Sequence, residues 1–252
     1  MRKGAILLLS LLLVLLAAPT GAQMATGPVV RVAQWKIKAG TAPQFEAGLK
    51  KHNEFHVKQN DATTIETWQI TSGPDTGAYV RIVALADWAA YDTPTVDEAA
   101  DEADAAANVN PYIESESVRW WRMIPEASYG PMDAATTPMD EVLFFHLNMG
   151  HTRDFMHLIG KVTHAAKENN WSVHYYWYAL AHGGEHPTFA LVIPKKNMAA
   201  FEEPELNFFA MLQKTFGPAE TEMILKGFDK AVHCQTSHVI GFRSDLSYAP
   251  KK

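Results

Sequence analysis

Val32-Ala33-Gln34-Trp35-Lys36-Ile37-Lys38-Ala39-Gly40 and, 110 residues further along, Val142-Leu143-Phe144-Phe145-His146-Leu147-Asn148-Met149-Gly150 carry apolar residues and a closing glycine at matching places. Extended without a gap, the same shift lays Phe45 and Leu49 on Phe155 and Ile159. It then lays Ile65, Trp68 and Ile70 on Tyr175, Tyr178 and Leu180, and Gly73 on Gly183. It ends with Trp88-Ala89-Ala90-Tyr91-Asp92 over Met198-Ala199-Ala200-Phe201-Glu202. What agrees is the set of positions that face a core or turn the chain, the mark of a duplicated architecture rather than of shared chemistry.

Each copy shows the same order of local signals. Val29 to Lys38 alternates and is rich in Val, Ile and Trp, which predicts a strand; Gly40 ends it, and Thr41 can cap a helix whose positions Phe45, Leu49 and His52 recur at helical spacing. Thr63 to Thr71 and Ala78 to Ala86 read as a hairpin about Gly73-Pro74-Asp75-Thr76-Gly77. An acidic, Ala-rich helix from Thr95 to Val109 and a strand from Ser117 to Ile124 complete the unit. The second copy repeats this with a strand from Glu141 to Asn148, a helix from Thr152 to Glu168, strands Val173 to Leu180 and Thr188 to Ile193, a helical region from Glu205 to Val232 broken at Gly217-Pro218, and a strand from Gln235 to Phe242. The expected fold class is α+β: two tandem β-α-β-β-α-β, ferredoxin-like units packed sheet to sheet. Domain one covers residues 29–124 and domain two residues 139–246, with the pattern-poor, Pro- and Thr-containing stretch 125–138 as linker.

The chain has 252 residues, 47% hydrophobic and 20% charged, which excludes disorder and coiled coil as the main state. Its formal charge of −6, or −8 once the basic Arg2 and Lys3 are removed, lacks the footprint that nucleic acid requires. Met1-Arg2-Lys3, the apolar run Ala5 to Ala18 and the small residues Thr20-Gly21-Ala22 read as a signal peptide over residues 1–22. The run is short for a bilayer span of roughly 20 residues, so the mature chain is expected to be secreted or periplasmic and free of the membrane. The single cysteine, Cys234, cannot form an internal disulfide and is expected to be a buried, inert thiol.

The strand ending in Lys38-Ala39-Gly40, the helix with Phe45, the strand Glu66-Thr67-Trp68 leading to Ser72-Gly73-Pro74, and Asp87-Trp88 resemble the dimeric α/β-barrel superfamily. Within it the likeness is to NIPSNAP-type domains and, more loosely, to antibiotic-biosynthesis monooxygenase-type domains. The resemblance covers Val29 to Met123 well and Glu141 to Phe242 less well, and it brings no catalytic signature. It implies two sheets facing one another around a barrel, here within one molecule.

Alternation then assigns faces. Ala33, Trp35 and Ile37 should meet the helices and leave Gln34, Lys36 and Lys38 for the barrel side, with Phe144, His146 and Asn148 in the second copy. Val80, Ile82 and Ala84 look helix-facing, so Tyr79, Arg81 and Val83 should turn to the barrel. Arg119, Trp121, His238 and Ile240 add to that face; Glu66, Trp68, His174, Tyr176 and Tyr178 are less firmly placed. The candidate ligand-binding set is Lys36, Arg81, Arg119, His146, Tyr176 and His238, with His146 as the candidate general base. The plainer reading pairs Arg81, Glu66 and Lys36 across a packed interface.

Other constellations are weaker. His146, His174 and His238 on three strands could hold a metal or haem iron if they converged, but no metal or cofactor is assigned. His52 and His56 share a helix face and could suit a metal, yet they fall in the buried stripe, since Val162 and Ala166 replace them in the second copy. Asp97, Glu98, Asp101, Glu102 and Asp104 read as a solvated helix face. His182-Gly183-Gly184 lacks any Gly-x-Ser-x-Gly partner, nucleotide loops are missing, and Asn170-Trp171-Ser172 is a bare glycosylation sequon. The leading expectation is a secreted or periplasmic small-molecule-binding protein with its ligand between the two sheets, itself a possible homo-oligomer. The alternatives are a cofactor-independent monooxygenase- or isomerase-like enzyme acting on a phenolic or enolic substrate, and a non-catalytic interaction module. Fold alone does not separate them.

Overall fold

The computed structural model describes residues 26–131 and 137–250. The leader assigned to residues 1–22 lies outside them, as do residues 132–136 of the linker. The first half runs β1 (Val29–Ile37), α1 (Ala42–Lys58), β2 (Glu66–Ser72), β3 (Tyr79–Leu85), α2 (Glu98–Asn108) and β4 (Ile113–Met123). The second runs β5 (Met139–Leu147), α3 (Thr152–Glu168), β6 (Tyr176–His182), β7 (Thr188–Lys195), α4 (Phe208–Ala231) and β8 (Val232–Phe242). The local chemistry recurs with the spacing of 110. Gly40 and Gly150 take φ of 77° and 85°, a conformation that costs a side chain but not glycine. Asp97 and Asn207 cap α2 and α4 by accepting from the amides of Ala100 and Ala210. Inside α4, Gly217 at φ 75° breaks the helix just before Pro218, as the sequence expects.

The strands close into one antiparallel barrel in the order β1-β3-β2-β8-β5-β7-β6-β4. This corrects the expectation of two sheets laid face to face: the halves meet edge to edge, β2 on β8 and β4 on β6. Closure satisfies the backbone groups that two open sheets would leave unpaired at their edges. The helices lie outside. Phe155, Ile159, Phe189, Met211 and Leu212 are buried beneath α3 and α4, and Phe45, Leu49, Tyr79 and Val109 beneath α1 and α2. Each such side chain stabilises by roughly 1.5–3 kcal/mol on burial.

The segments after β4 and β8 cross over to the opposite half. After β4, the Ser128 hydroxyl donates to the Ile124 carbonyl and accepts from the Trp177 amide of β6, the Ala127 carbonyl accepts from Thr163 of α3, and Tyr129 bridges Tyr175. After β8, Ser247 donates to Arg243 and accepts from the Thr67 amide of β2, Leu246 accepts from Asn53 of α1, and Tyr248 bridges Ile65. Each half thus finishes its packing on the other. Within the stretch read as linker, Ala127 and Ser128 are buried.

Candidate functional site

Register decides what looks into the barrel. Val30, Val32 and Gln34 of β1 stand opposite Ala84, Ile82 and Val80 of β3, and cross-strand partners share a face. These residues all line the lumen, while Trp35 and Phe45 pack edge to face on the helix side. The facing expected for β3 is therefore inverted. Tyr79 and Arg81 turn to the helices, where the buried Arg81 guanidinium donates to Asn53 Oδ1 at 2.9 Å and to Thr67 Oγ1 at 3.3 Å. Burial draws its pKa down to about 10. The error came from giving the apolar set of β3 to the helices, whereas the lumen is itself apolar. Lys36 is the second correction. It stands at the exposed end of β1, pairs with Glu114 at 3.0 Å, and does not line the lumen.

The lumen holds a cavity of about 350 Å³, the size of a small-molecule site. Its walls are aliphatic and aromatic, with Trp68, Trp121 and Phe144 among them, and Arg119, Tyr176 and His238 of the expected set line it. Two groups of polar residues interrupt the apolar surface. The first is Glu66, Asp140, Tyr176 and Tyr178. Asp140 is 7% exposed, and its Oδ1 has no hydrogen-bond partner among the described residues. Burial, and secondarily the charge of Glu66, push its pKa up to about 7. Tyr178 is pushed above its ordinary value, first by burial and then by Asp140 and Glu66. Tyr176 donates to the Pro131 carbonyl, and Glu66 accepts from the Trp68 indole at 3.1 Å. The second group is Gln34, Arg119 and His238. Burial lowers the His238 pKa, with Asp75 opposing and Arg119 adding to the effect.

A smaller chamber of about 280 Å³ adjoins the lumen and shares Arg119, Trp121, Phe144 and His238 with it. His146 belongs to this chamber, with Nδ1 3.0 Å from Thr188 Oγ1 and 3.8 Å from Glu185. His146 and His238 thus border one space, but His174 packs on Tyr129 elsewhere, so the three histidines do not converge. His182 lies against Trp88. Cys234, opposite His146 on β8 and so on the chamber side of that strand, is exposed rather than buried. Sequence reasoning missed Asp140. Counting back by twos from His146 and Phe144 reaches Val142 and then Asp140, one residue before the expected start of the strand at Glu141 and inside β5 as it folds.

No protein-family model and no curated protein matches the chain. Among solved structures it is similar to one described as "putative monooxygenase from Lactobacillus acidophilus NCFM", at 9% identity over 89% of this chain and 97% of that one, with a TM-score of 0.57. It is also similar to an anthrone oxidase-like protein, at 7% identity over 90% and 94% of the two chains and TM-score 0.53. A chlorite dismutase variant from Candidatus Nitrospira defluvii matches at 10% identity over 86% and 92%, TM-score 0.52. The shared fold is the dimeric α/β barrel, completed here within a single chain. The leading expectation of a small-molecule-binding protein is corrected on these grounds. The solved structures that share the fold along nearly their whole length are described as a "putative monooxygenase", an anthrone oxidase-like protein and a chlorite dismutase, and the lumen carries the buried carboxyl group of Asp140.

Proposed function

We propose that the chain is an enzyme of the cofactor-independent monooxygenase kind, acting on an enolisable or phenolic aromatic substrate held in the barrel lumen. The observation that carries this reading is Asp140, a buried carboxyl in an apolar cavity with one oxygen unpartnered among the described residues and a pKa raised to about 7. Such a group is half-ionised near neutrality, the condition in which a general base is most effective. In this reading Asp140 takes over the role expected of His146, which sits in the adjoining chamber bonded to Thr188.

The aromatic walls would hold the ring system, and Arg119 and His238 would face the oxyanion that forms when a proton leaves. For an aryl ketone, a ring CH₂ loses a proton to Asp140 and the enolate reduces dioxygen. The CH₂ becomes C=O with one oxygen atom of O₂, and the second oxygen leaves as water with the two hydrogens. An isomerase would use the same proton transfer without oxygen.

The test is turnover of an anthrone-type ketone with oxygen uptake recorded. Asp140→Asn is expected to lower kcat by about 10²-fold or more while substrate still binds, and wild-type kcat/KM to rise with pH through an inflection near 7. Equal rates for the two proteins would end the reading. Asp140-dependent exchange of substrate hydrogen with solvent deuterium, without oxygen uptake, would favour the isomerase.

The halves are further read as diverged copies of one ferredoxin-like unit, supported by the strand order and the matching crossed tails. Export to the periplasm or beyond rests on the leader sequence, and the NIPSNAP-type likeness on the motifs of the first half. No helix among the described residues is long and apolar enough to cross a membrane.

A further inference from the structure

Between α1 and α2, outside the barrel and away from the lumen, His52 Nε2, His56 Nε2 and Asp101 Oδ1 form a nearly regular triangle. The two nitrogens are 3.3 Å apart, and each is 3.5 Å from the carboxylate oxygen. The hydrogen bonds on the far side of each ring fix what these atoms offer. His52 Nδ1 lies 2.9 Å from Asp104 Oδ1 and His56 Nδ1 2.8 Å from Asp61 Oδ2. Carboxylates only accept, so both Nδ1 atoms carry the hydrogen, and each ring, when neutral, turns a bare Nε2 lone pair into the triangle. Asp101 Oδ1 is buried and accepts no hydrogen bond among the described residues. With both rings neutral, three electron pairs face one point, which is unfavourable unless a cation lies there.

We infer that His52, His56 and Asp101 bind a divalent transition-metal ion of the Zn²⁺ type, with Asp104 and Asp61 orienting the two imidazoles. Tetrahedral Zn²⁺ with bonds of about 2.0–2.1 Å sets its ligand atoms about 3.3–3.5 Å apart, which is the size of this triangle. Carboxylate–imidazole–metal relays are the usual support of such ligands. Asp61 is itself held by the Thr63 amide at 2.8 Å and by the Thr95 hydroxyl. Charge agrees: Asp61, Asp101 and Asp104 outweigh the one buried cation nearby, Arg81, leaving room for two positive charges, while Lys51 acts on Asp104 only from the exposed side.

The second half gives an internal control. At the spacing of 110, where Asp97 and Asn207 cap corresponding helices, His52, His56 and Asp101 become Val162, Ala166 and Met211, all buried in an apolar cluster. The helix pair thus packs without any polar group here, and the first half carries an addition the fold does not require. Gly48, one turn before His52, lets α2 come close enough; a Cβ on it would lie 1.8 Å from the Asn108 carbonyl oxygen. Three protein ligands leave a fourth position for water.

The test is titration of chelator-treated, full-length protein with Zn²⁺ by calorimetry, and with Co²⁺ by visible absorption. One ion per chain is expected, with the intense absorption of four-coordinate Co²⁺ and a thermal midpoint that rises with Zn²⁺ concentration. His56→Gln and Asp101→Asn should each weaken binding by about 100-fold or more, and Asp104→Asn, which keeps all three ligands, by about 10–100-fold. Native mass spectrometry of the wild-type chain gives the stoichiometry without relying on any variant's folding. Absence of a one-to-one complex, or affinity unchanged in folded Asp101→Asn, overturns the inference and leaves a histidine pair bridged by a proton.

Discussion

Asp140 and Arg81 are both buried ionisable residues, yet they act in opposite senses. Folding keeps a proton on Asp140 up to about pH 7, while the unfolded chain releases it near 3.8. The native state binds the extra proton between those values, so stability falls as pH rises from about 4 to 7 and stays lowered above it. Asp140→Asn should therefore raise the thermal midpoint at pH 8 and leave it unchanged near pH 4. A variant less stable at pH 8 would show that the carboxylate has a partner in the fold. Arg81 has partners already. Arg81→Met strands Asn53 Oδ1 and should cost about 2–3 kcal/mol in urea unfolding, with substrate affinity unaltered because the side chain lies outside the lumen. Alternation along β5 puts Asp140 on the face of Phe144 and His146, but the residue precedes the strand expected from Glu141. Alternation in β3 separated Tyr79 and Arg81 from the apolar Val80, Ile82 and Ala84, but an apolar set suits an apolar lumen as well as a helix layer, so only the partner strand decides which set faces the helices.

At the scale of elements, α1 and α2 illustrate how packing overrides composition. The run Asp97 to Asp104 reads as a solvated acidic face, and most of it is; Asp101 and Asp104, one turn apart, instead turn onto His52 and His56. Helical spacing put the two histidines on one face, but the meeting with Asp101 depends on how two helices far apart in sequence cross. Gly48→Ala tests that crossing. Alanine gains up to about 1 kcal/mol in helix propensity, whereas a Cβ 1.8 Å from a carbonyl oxygen forces a shift costing about 1–3 kcal/mol or more. The clash wins, so the variant should unfold at lower urea concentration and bind Zn²⁺ more weakly. Equal stability would mean the helices separate at no cost.

Over the whole molecule, the two halves depend on each other. The barrel closes only through β2 on β8 and β4 on β6, and each crossed tail bonds its serine to a strand amide and bridges its tyrosine to a residue of the opposite half. Residues 26–131 and 137–250 expressed separately should each lack a cooperative unfolding transition and regain one when mixed. Independent two-state unfolding of either piece would show that the tails are ornament. Order and type of elements were determined by the sequence alone: strand alternation, helical spacing, turn glycines and the repeat at 110 are local signals, and they place α3 at Thr152 to Glu168 where it is found. Which face of each strand lines the lumen, the burial of Asp140 and the gathering of His52, His56 and Asp101 were decided only by the tertiary structure. Those outcomes depend on cross-strand register and helix crossing, and both are set by the closing of the barrel between residues far apart in the chain.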